Sequence, residues 1–180
     1  MVEEEIKVPV ASLAAVRARL AEHGAVLAEP AVLEENWVFD DAEGSLARSG
    51  RLLRLRRFGA RTILTFKEAG RFEGGIKSRP EFETGLTDGD GGLAILAALG
   101  FVPARRYQKR REVWLFEGLQ VALDETPMGA FVEVEGDARR LLPTARRLGL
   151  DPECAARGTY LDLWRAFRAT HPDAPEDMIF

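Results

Sequence analysis

Cysteine is almost absent from the sequence: Cys154 is the only one among 180 residues. A single cysteine cannot form an intramolecular disulfide, and it cannot build a cysteine-based zinc site. We interpret Cys154 as an inert small residue. Histidine is nearly as rare, and we expect a structural role for His23 at the end of a helix and no role for His171. Disulfide and cysteine–zinc chemistry are therefore excluded.

The sequence also lacks a net basic charge and long apolar runs. Its 25 Lys and Arg residues face 29 Asp and Glu residues, which gives a net charge of −4, so nucleic acid is not expected as a partner. No uninterrupted apolar run is long enough to cross a bilayer, so no membrane is expected either. The acidic start, with Glu3, Glu4 and Glu5, is not typical of a secretory signal. We expect a cytoplasmic protein.

What remains is the composition of a globular domain. Hydrophobic residues make up 46% of the chain and charged residues 30%, and 180 residues fit one domain with a sizeable core. We place this domain at residues 1–170. Residues 171–180, with two prolines and several acids, are predicted to form a frayed or peripheral tail.

The stretch from Val2 to Val8 alternates with a period of two. Glu3, Glu5 and Lys7 share one face of a predicted strand, because successive strand residues point to opposite sides of a sheet. A solvated outer face would explain a single strand of this kind. However, the same charged alternation returns in five later segments: Arg54/Arg56, Lys67, Arg79/Glu81/Glu83, Lys109/Arg111 and Glu133/Glu135.

Many short antiparallel strands with few helices indicate an α+β fold around a closed or strongly curved sheet. If the charged faces point inward, the interior must be wet or hold a charged guest, since unpaired buried ions are prohibitively costly. Acids spaced i, i+2 suit a hard divalent cation with oxygen ligands. The bases suit a polyanion, whose phosphate oxygens arginine binds bidentately.

The ordered set of charged residues resembles the CYTH superfamily, the triphosphate tunnel metalloenzymes. Glu3-x-Glu5-x-Lys7 is similar to the superfamily's ExExK signature. The resemblance continues, in order, through Arg54-Leu55-Arg56, Lys67, Arg79-Pro80-Glu81-Phe82-Glu83, Lys109-Arg110-Arg111, Asp124, Glu133-Val134-Glu135 and a closing Thr159-Tyr160-Leu161 segment.

The resemblance implies an eight-stranded antiparallel tunnel that binds a triphosphate end-on with Mg²⁺ or Mn²⁺. The implied metal ligands are Glu3, Glu5, Asp124, Glu133 and Glu135. The implied triphosphate-binding residues are Lys7, Arg54, Arg56, Lys67, Arg79, Lys109 and Arg111. Catalysis is implied for Glu3, Glu5, Lys7, Glu133 and Glu135, with Glu81 and Glu83 in support, either tying basic side chains in place or assisting a second metal.

Three functions stay open at this point. The first is a metal-dependent triphosphatase acting on inorganic triphosphate, thiamine triphosphate or nucleoside triphosphates. The second is a class IV-type adenylyl cyclase, which converts ATP to cyclic AMP and pyrophosphate. The third is a non-catalytic module that binds polyphosphate or RNA ends. The preferred metal is also open, as is the oligomeric state, a homodimer included.

Several local expectations complete the prediction. Residues 25–33 are expected to form a connector into a strand around 36–40, and residues 68–78 a mobile loop. The loop's Gly74-Gly75-Ile76-Lys77 resembles a phosphate loop only weakly, because it lacks the Gly-Lys-Ser/Thr ending, and we reject that interpretation. Asp137 is expected to cap a helix that Pro143 interrupts or restarts, and Thr159 to cap the last helix.

Overall fold

The structure, a computed structural model, describes residues 2–180. In this range no helix is both long enough and apolar enough to span a bilayer. The strands are β1 (Val2–Val10), β2 (Val26–Asp40), β3 (Leu52–Phe58), β4 (Arg61–Lys67), β5 (Arg71–Glu73), β6 (Ile76–Leu86), β7 (Val102–Phe116), β8 (Leu119–Thr126) and β9 (Gly129–Glu135). The α-helices are α1 (Leu13–Glu22), α2 (Ser45–Arg48), α3 (Gly89–Ala98), α4 (Ala138–Arg147) and α5 (Tyr160–Thr170).

Eight of the strands form a closed antiparallel barrel in the order β1-β9-β8-β7-β2-β3-β4-β6. Pairing of β6 with β1 closes the ring, with Glu3 opposite Arg79 and Glu5 opposite Lys77. The short β5 is an additional strand on the edge of β6. The predicted α+β fold with an eight-stranded antiparallel barrel is confirmed.

The apolar faces of the strands point outward and pack under the helices. Ile6 and Val8 of β1 are almost fully buried against Val16 and Leu20 of α1. A second cluster places Leu96 of α3 against the outer faces of β2 and β3. Burial of apolar surface between sheet and helix therefore stabilises the barrel from outside and leaves its axis to the charged side chains.

The helix ends follow the predicted caps, with one correction. The Asp137 carboxylate accepts a hydrogen bond from the backbone N–H of Arg139, and Thr159 forms a capping box with Asp162. Contrary to the expectation, α4 runs straight through Pro143. The lost hydrogen bond lies on the exposed side of the helix, whereas Leu141, fully buried on the other side, anchors the helix to the barrel.

Two segments expected to be irregular are strands. The predicted connector at residues 25–33 is the first half of β2, whose pairing with β7 shifts register between Leu27 and Glu29 and between Glu29 and Val32. These bulges break the period of two that identifies a strand in the sequence. The expected mobile loop at residues 68–78 contains β5 and the start of β6, which pair with each other.

The expectation of a frayed C-terminal tail is wrong. Met178 is fully buried and forms a parallel bridge with Tyr107 of β7. Its carbonyl oxygen accepts a hydrogen bond of 2.7 Å from the backbone N–H of Gln108. The indole N–H of Trp164 donates to the carbonyl oxygen of Glu176 at 3.1 Å. The tail therefore fastens α5 to the barrel.

We expect Met178→Ala to lower the free energy of unfolding by about 2–5 kcal/mol, the range for truncating a fully buried methionine. Urea unfolding measures this change. Phe180→Ala is the matched control, because Phe180 is 49% exposed in the same tail and its loss should change stability by less than about 1 kcal/mol. Equal effects of the two substitutions would contradict the anchoring role.

Candidate active site

The interior of the barrel is a cavity of about 1060 Å³. All eight barrel strands contribute side chains to its wall, and most of these side chains are charged. Every residue predicted for the site lines this cavity except Asp124, which lies behind the wall. The lining residues that the sequence predicted are Glu3, Glu5, Lys7, Arg54, Arg56, Lys67, Arg79, Glu81, Glu83, Lys109, Arg111, Glu133 and Glu135.

The antiparallel pairing of β1 with β9 brings the acids from the two ends of the chain together. Glu5 lies opposite Glu135, and Lys7 lies opposite Glu133. Three of the acids face lysines: Glu3 accepts from Lys67, Glu5 from Lys77 and Glu133 from Lys7. The N–O distances are 2.6, 2.9 and 2.9 Å. The acids are thus neutralised pairwise across strands.

Glu135 differs from the other acids, because it has no hydrogen bond or ion pair to any described residue. Burial, and then the negative charges of Glu3, Glu5 and Glu133, raise the pKa of Glu135 to about 7. This is the effect of burial and neighbouring negative charges on a carboxylate that has no ion-pair partner of its own among the described residues. A cation bound among these four carboxylates would remove the repulsion.

The acidic cluster fits a divalent cation in its chemistry, since carboxylate oxygens are the ligands that hard cations prefer. The geometry is not preformed: within residues 2–180, no three Asp, Glu, Cys or His side chains converge on one point. Glu3, Glu5 and Glu133 instead point at their lysine partners. Metal binding would require these carboxylates to exchange a lysine for the ion.

Asp124, predicted as a metal ligand, is fully buried and already has four hydrogen bonds. Arg111 donates twice, from Nε at 2.7 Å and from Nη2 at 2.6 Å. Lys109 donates from Nζ at 3.1 Å and the Tyr160 hydroxyl at 2.6 Å. With these donors in place Asp124 serves as an anchor for the cations around it.

Glu34 is an acid of the site that the sequence analysis missed. It is fully buried, and its carboxylate lies 3.4 Å from Arg56 and 3.6 Å from Lys109. Burial alone would raise its pKa, but Arg56, Lys109 and Arg111 outweigh burial and hold the pKa of Glu34 well below its usual range. Its Oε2 has no hydrogen-bond donor among the described residues. The alternation of Glu34 with Asn36 was the available signal, hidden by the bulges in β2.

The opposite wall of the cavity is basic. The guanidinium of Arg54 donates to the Tyr107 hydroxyl at 3.1 Å and to Thr65 Oγ1 at 3.2 Å. The Nε groups of Arg54, on this wall, and of Arg79, on β6 beside the acids of β1, are buried but have no hydrogen-bond acceptor in residues 2–180. The nearest carboxylate to Arg79 Nε is that of Glu3 at 3.6 Å, which forms an ion pair but is beyond hydrogen-bond distance. A buried donor without an acceptor is costly. An anion in the cavity would remove this cost by accepting hydrogen bonds from the two Nε groups.

The pKa values of two lysines of the site are shifted in opposite directions. Burial would lower the pKa of Lys7, but Glu133 and Glu5 outweigh it and raise that pKa above its usual value. Lys7 is therefore a permanent cation. Lys77, which the sequence analysis also missed, has a lowered pKa, because burial exceeds the attraction of Glu5.

The supporting residues Glu81 and Glu83 differ in position. Glu81 lies 2.7 Å from Lys67 and 4.0 Å from Arg54, as expected for a residue that ties basic side chains in place. Glu83 is exposed, and its carboxylate accepts a hydrogen bond from Thr65 Oγ1 at 3.0 Å. Of the two roles left open for this pair, the contacts of Glu81 favour the structural one, in which it ties basic side chains in place.

The structure is a closed antiparallel barrel whose interior is lined by acids and bases, with two buried arginine Nε groups that have no hydrogen-bond acceptor among the described residues. The family model of the CYTH domain matches residues 1–151. The chain belongs to the CYTH family, as the ordered motifs predicted. Enzymes of this family are triphosphatases or adenylyl cyclases that bind triphosphate in a tunnel and depend on divalent cations.

Several solved structures have the same fold. A candidate adenylate cyclase from Vibrio parahaemolyticus is 19% identical with a TM-score of 0.80, over 91% of this chain and 97% of that chain. The PH1012 protein from Pyrococcus horikoshii is 23% identical with a TM-score of 0.75, over 89% and 98%. A candidate adenylyl cyclase, HpAC1 from Hippeastrum, described as having a dominant triphosphatase activity, is 19% identical with a TM-score of 0.69, over 92% and 96%. No curated protein matches the sequence significantly.

Proposed function

We propose that this protein is a metal-dependent triphosphatase that hydrolyses the triphosphate group of its substrate inside the barrel. The observation that supports this most is the pair of buried, unsatisfied Nε donors of Arg54 and Arg79, which face a cavity large enough for a triphosphate. Phosphate oxygens are the acceptors that such guanidinium groups bind best.

The basic wall would hold the triphosphate and stabilise the charge that develops on it. Phosphoryl transfer depends on positioning and on electrostatic stabilisation more than on a protein nucleophile. Lys7 and Arg54 suit this task, since the pKa of each is raised and neither loses its charge. The oxygen of a water molecule would bond to the terminal phosphorus while the bond from that phosphorus to the bridging oxygen breaks. The rest of the substrate would leave as a diphosphate that keeps the electron pair of the broken bond, and the attacking water would lose a proton to solvent, so that the terminal phosphoryl group becomes orthophosphate.

The acidic wall would hold the divalent cation through Glu3, Glu5, Glu133 and Glu135. When bound, Mg²⁺ or Mn²⁺ would neutralise phosphate oxygens and lower the pKa of attacking water. We leave Asp124 out of this ligand set, because its oxygens already accept four hydrogen bonds. It remains the sequence-based prediction that fits the geometry least.

A single assay tests the proposed reaction. The purified protein is incubated with Mg²⁺ or Mn²⁺ and, separately, with inorganic triphosphate, thiamine triphosphate and ATP. Release of orthophosphate that stops on addition of EDTA supports metal-dependent hydrolysis. Cyclic AMP with pyrophosphate from ATP would instead identify a cyclase. Tight binding of triphosphate without turnover would identify a binding module.

The cyclase is the second candidate, and one feature of the cavity favours it. Cross-strand pairing places Glu5 opposite Glu135, Glu135 opposite Gln120, and Gln120 opposite Leu115. Leu115 is 50% exposed at the open end of the barrel. The apolar side chains Phe58, Ile63, Val113 and Leu115 line the cavity. An organic group such as adenosine could pack there and place its 3′-hydroxyl near the α-phosphorus. The same wall would equally suit an organic triphosphate that is hydrolysed.

The non-catalytic module is the least favoured alternative. A site that only binds polyanions gains nothing from four acids that repel phosphate, unless a metal ion lies between them. Burial, and then the charges of Glu3, Glu5 and Glu133, raise the pKa of Glu135 to about 7, as expected where acids repel one another.

We expect Arg56→Ala to weaken triphosphate binding by about 1.5–3 kcal/mol, the usual contribution of a charge-assisted hydrogen bond. Calorimetric titration with inorganic triphosphate measures the loss. Arg57→Ala is a matched control, because the neighbouring Arg57 points outward, pairs with Asp90 at 3.0 Å and is 45% exposed. Unchanged affinity in Arg56→Ala, or an equal loss in the control, would exclude Arg56 from the phosphate site.

A further inference from the structure

Tyr160, the first residue of α5, reaches the ionic interior from outside the segment that matches the family model. Its hydroxyl donates to Oδ2 of Asp124 at 2.6 Å. Its ring faces two ammonium groups, with Lys7 Nζ 4.4 Å and Lys109 Nζ 4.7 Å from the ring centroid. One aromatic side chain therefore contacts three ionised groups of the site at the end of the barrel that α5 covers.

These contacts restrict two side chains that are otherwise flexible. A lysine ammonium is a point charge on a long stem with many rotamers, and a ring face attracts it more strongly where water is excluded. Both ammonium groups also lie near Glu133, at 2.9 Å for Lys7 and 3.9 Å for Lys109. The ring and this carboxylate together fix where each charge lies.

The ring itself is held firmly. The capping box of Thr159 and Asp162 fixes the backbone at the start of α5. Phe131 of β9 packs edge-to-face against the ring with the centroids 5.5 Å apart. Met178 of the C-terminal tail belongs to the same buried cluster. The position of Tyr160 is thus set by both the barrel and the tail.

We propose that Tyr160 is a positioning residue that holds the ammonium groups of Lys7 and Lys109 where they bind a phosphate of the substrate. The identity of the anion rests on the proposed function, whereas the placement of the two ammonium groups does not. The ring is the main element, and the hydroxyl contributes through Asp124.

The test compares Tyr160→Phe, which keeps the ring, with Tyr160→Leu, which removes it. Phe167→Leu is the matched control, because Phe167 is an aromatic residue of the same helix that stacks on Trp164 and does not line the cavity. Calorimetry with inorganic triphosphate should show about tenfold weaker binding for Tyr160→Leu and at most about threefold for Tyr160→Phe. The control should bind like the wild type, even if its melting temperature falls. In steady-state kinetics the leucine variant should raise KM more than it lowers kcat.

A second measurement needs neither ligand nor turnover. Protons above an aromatic ring resonate upfield, so the ε-methylene signals of Lys7 and Lys109 should be shifted upfield in wild type and Tyr160→Phe and return toward ordinary values in Tyr160→Leu. Unchanged lysine signals, or triphosphate binding by the leucine variant equal to that of the control, would overturn the proposal. If the wild type binds triphosphate without hydrolysing it, the proposed reaction fails and calorimetry still decides the role of Tyr160. If the wild type does not bind triphosphate, the proposed function and the phosphate role of the two lysines fall, and the lysine signals alone decide whether Tyr160 positions the ammonium groups.

Discussion

Replacing Glu135 by glutamine is expected to make the protein more stable above pH 7 and to remove most of its metal-dependent turnover. The pKa of Glu135 is raised to about 7 by burial and by Glu3, Glu5 and Glu133. Its ionised form therefore opposes folding, while the proposed reaction requires it. A substitution that stabilises the fold and abolishes activity is typical of a residue retained for function.

The sign of the pH dependence follows from the direction of this shift. The folded protein keeps a proton on Glu135 that the unfolded chain releases above its ordinary carboxyl pKa of 4.5. Between about pH 4.5 and pH 7 the folded state therefore binds more protons, and the contribution of this group to stability falls as the pH rises. Glutamine cannot ionise, so the stability of the variant should not show this decline as the pH rises.

The expected gain at pH 8 is about 1–2 kcal/mol, because one pKa unit corresponds to about 1.4 kcal/mol and water in the cavity screens part of the repulsion. Turnover should fall by about 100-fold, as for loss of a group that supports a catalytic metal. Urea unfolding at pH 5 and pH 8 and the orthophosphate assay measure the two effects. Glu22→Gln, on the exposed face of α1, should change neither. A glutamine variant that is less stable at pH 8, or fully active, would contradict the assignment.

The sequence was sufficient to predict which faces of the strands point into the barrel. In β1, β3 and β9 no register shift interrupts the period of two, so a charge at one position fixes the face of the next charge along the strand. Arg54 and Arg56 therefore point inward together, as do Glu133 and Glu135. Recurrence of this pattern raised the odds of an ionic interior, which a single strand could not do, and the resemblance to the CYTH superfamily decided between that interior and a solvated outer face.

Residues were missed where local backbone geometry hides the period. Glu34 lies in β2 after two register shifts, and these shifts made its strand look like a connector. Lys77 follows two glycines with positive φ, and the glycines suggested a loop although they lead directly into β6. Bulges and glycine turns change the phase between sequence and sheet face, so alternation alone cannot cross them.

The role of the C-terminal residues could not be predicted for a different reason. Met178 and Tyr160 meet through contacts between segments distant in the chain, and short tails without a period carry no signal of their own burial. In α5 the helical spacing of Leu161, Trp164 and Phe167 indicates a buried stripe but not what it covers. Only the closed barrel provides the surface that makes this helix and tail pack.

Most acids and bases of the interior pair with one another, and these pairs determine what binding must do. Lys67 pairs with Glu3 and Lys7 with Glu133, so the groups proposed to bind metal form ion pairs with the groups proposed to bind phosphate. A triphosphate with its cation would replace these pairs by lysine–phosphate and carboxylate–metal contacts. The free energy of binding is then a difference between two sets of ionic contacts, which explains how so many charges persist inside a stable fold.

Asp124→Asn is expected to cause the largest loss of stability, about 3–5 kcal/mol, because it removes the charge that compensates two buried cations. Asp124 is fully buried and accepts from both Arg111 and Lys109. The asparagine side chain has nearly the same volume, but its amide NH₂ would face donors. Glu125→Gln is the control: Glu125 is the next residue, 55% exposed, and its pair with Arg110 should contribute less than about 1 kcal/mol.

Urea unfolding at pH 7 measures this loss, and the double variant Asp124→Asn/Arg111→Gln separates its cause. If uncompensated charge is responsible, removing Arg111 as well should restore part of the stability, since Arg111, which loses its paired hydrogen bonds to Asp124 and keeps only Glu133 and the more distant Glu34, is then gone. If Asp124 instead binds metal, Asp124→Asn should leave the stability of the metal-free protein unchanged and lower only its affinity for Mn²⁺. The two outcomes decide between an anchor and a ligand, because an anchor stabilises the fold without metal and a crowded ligand does not.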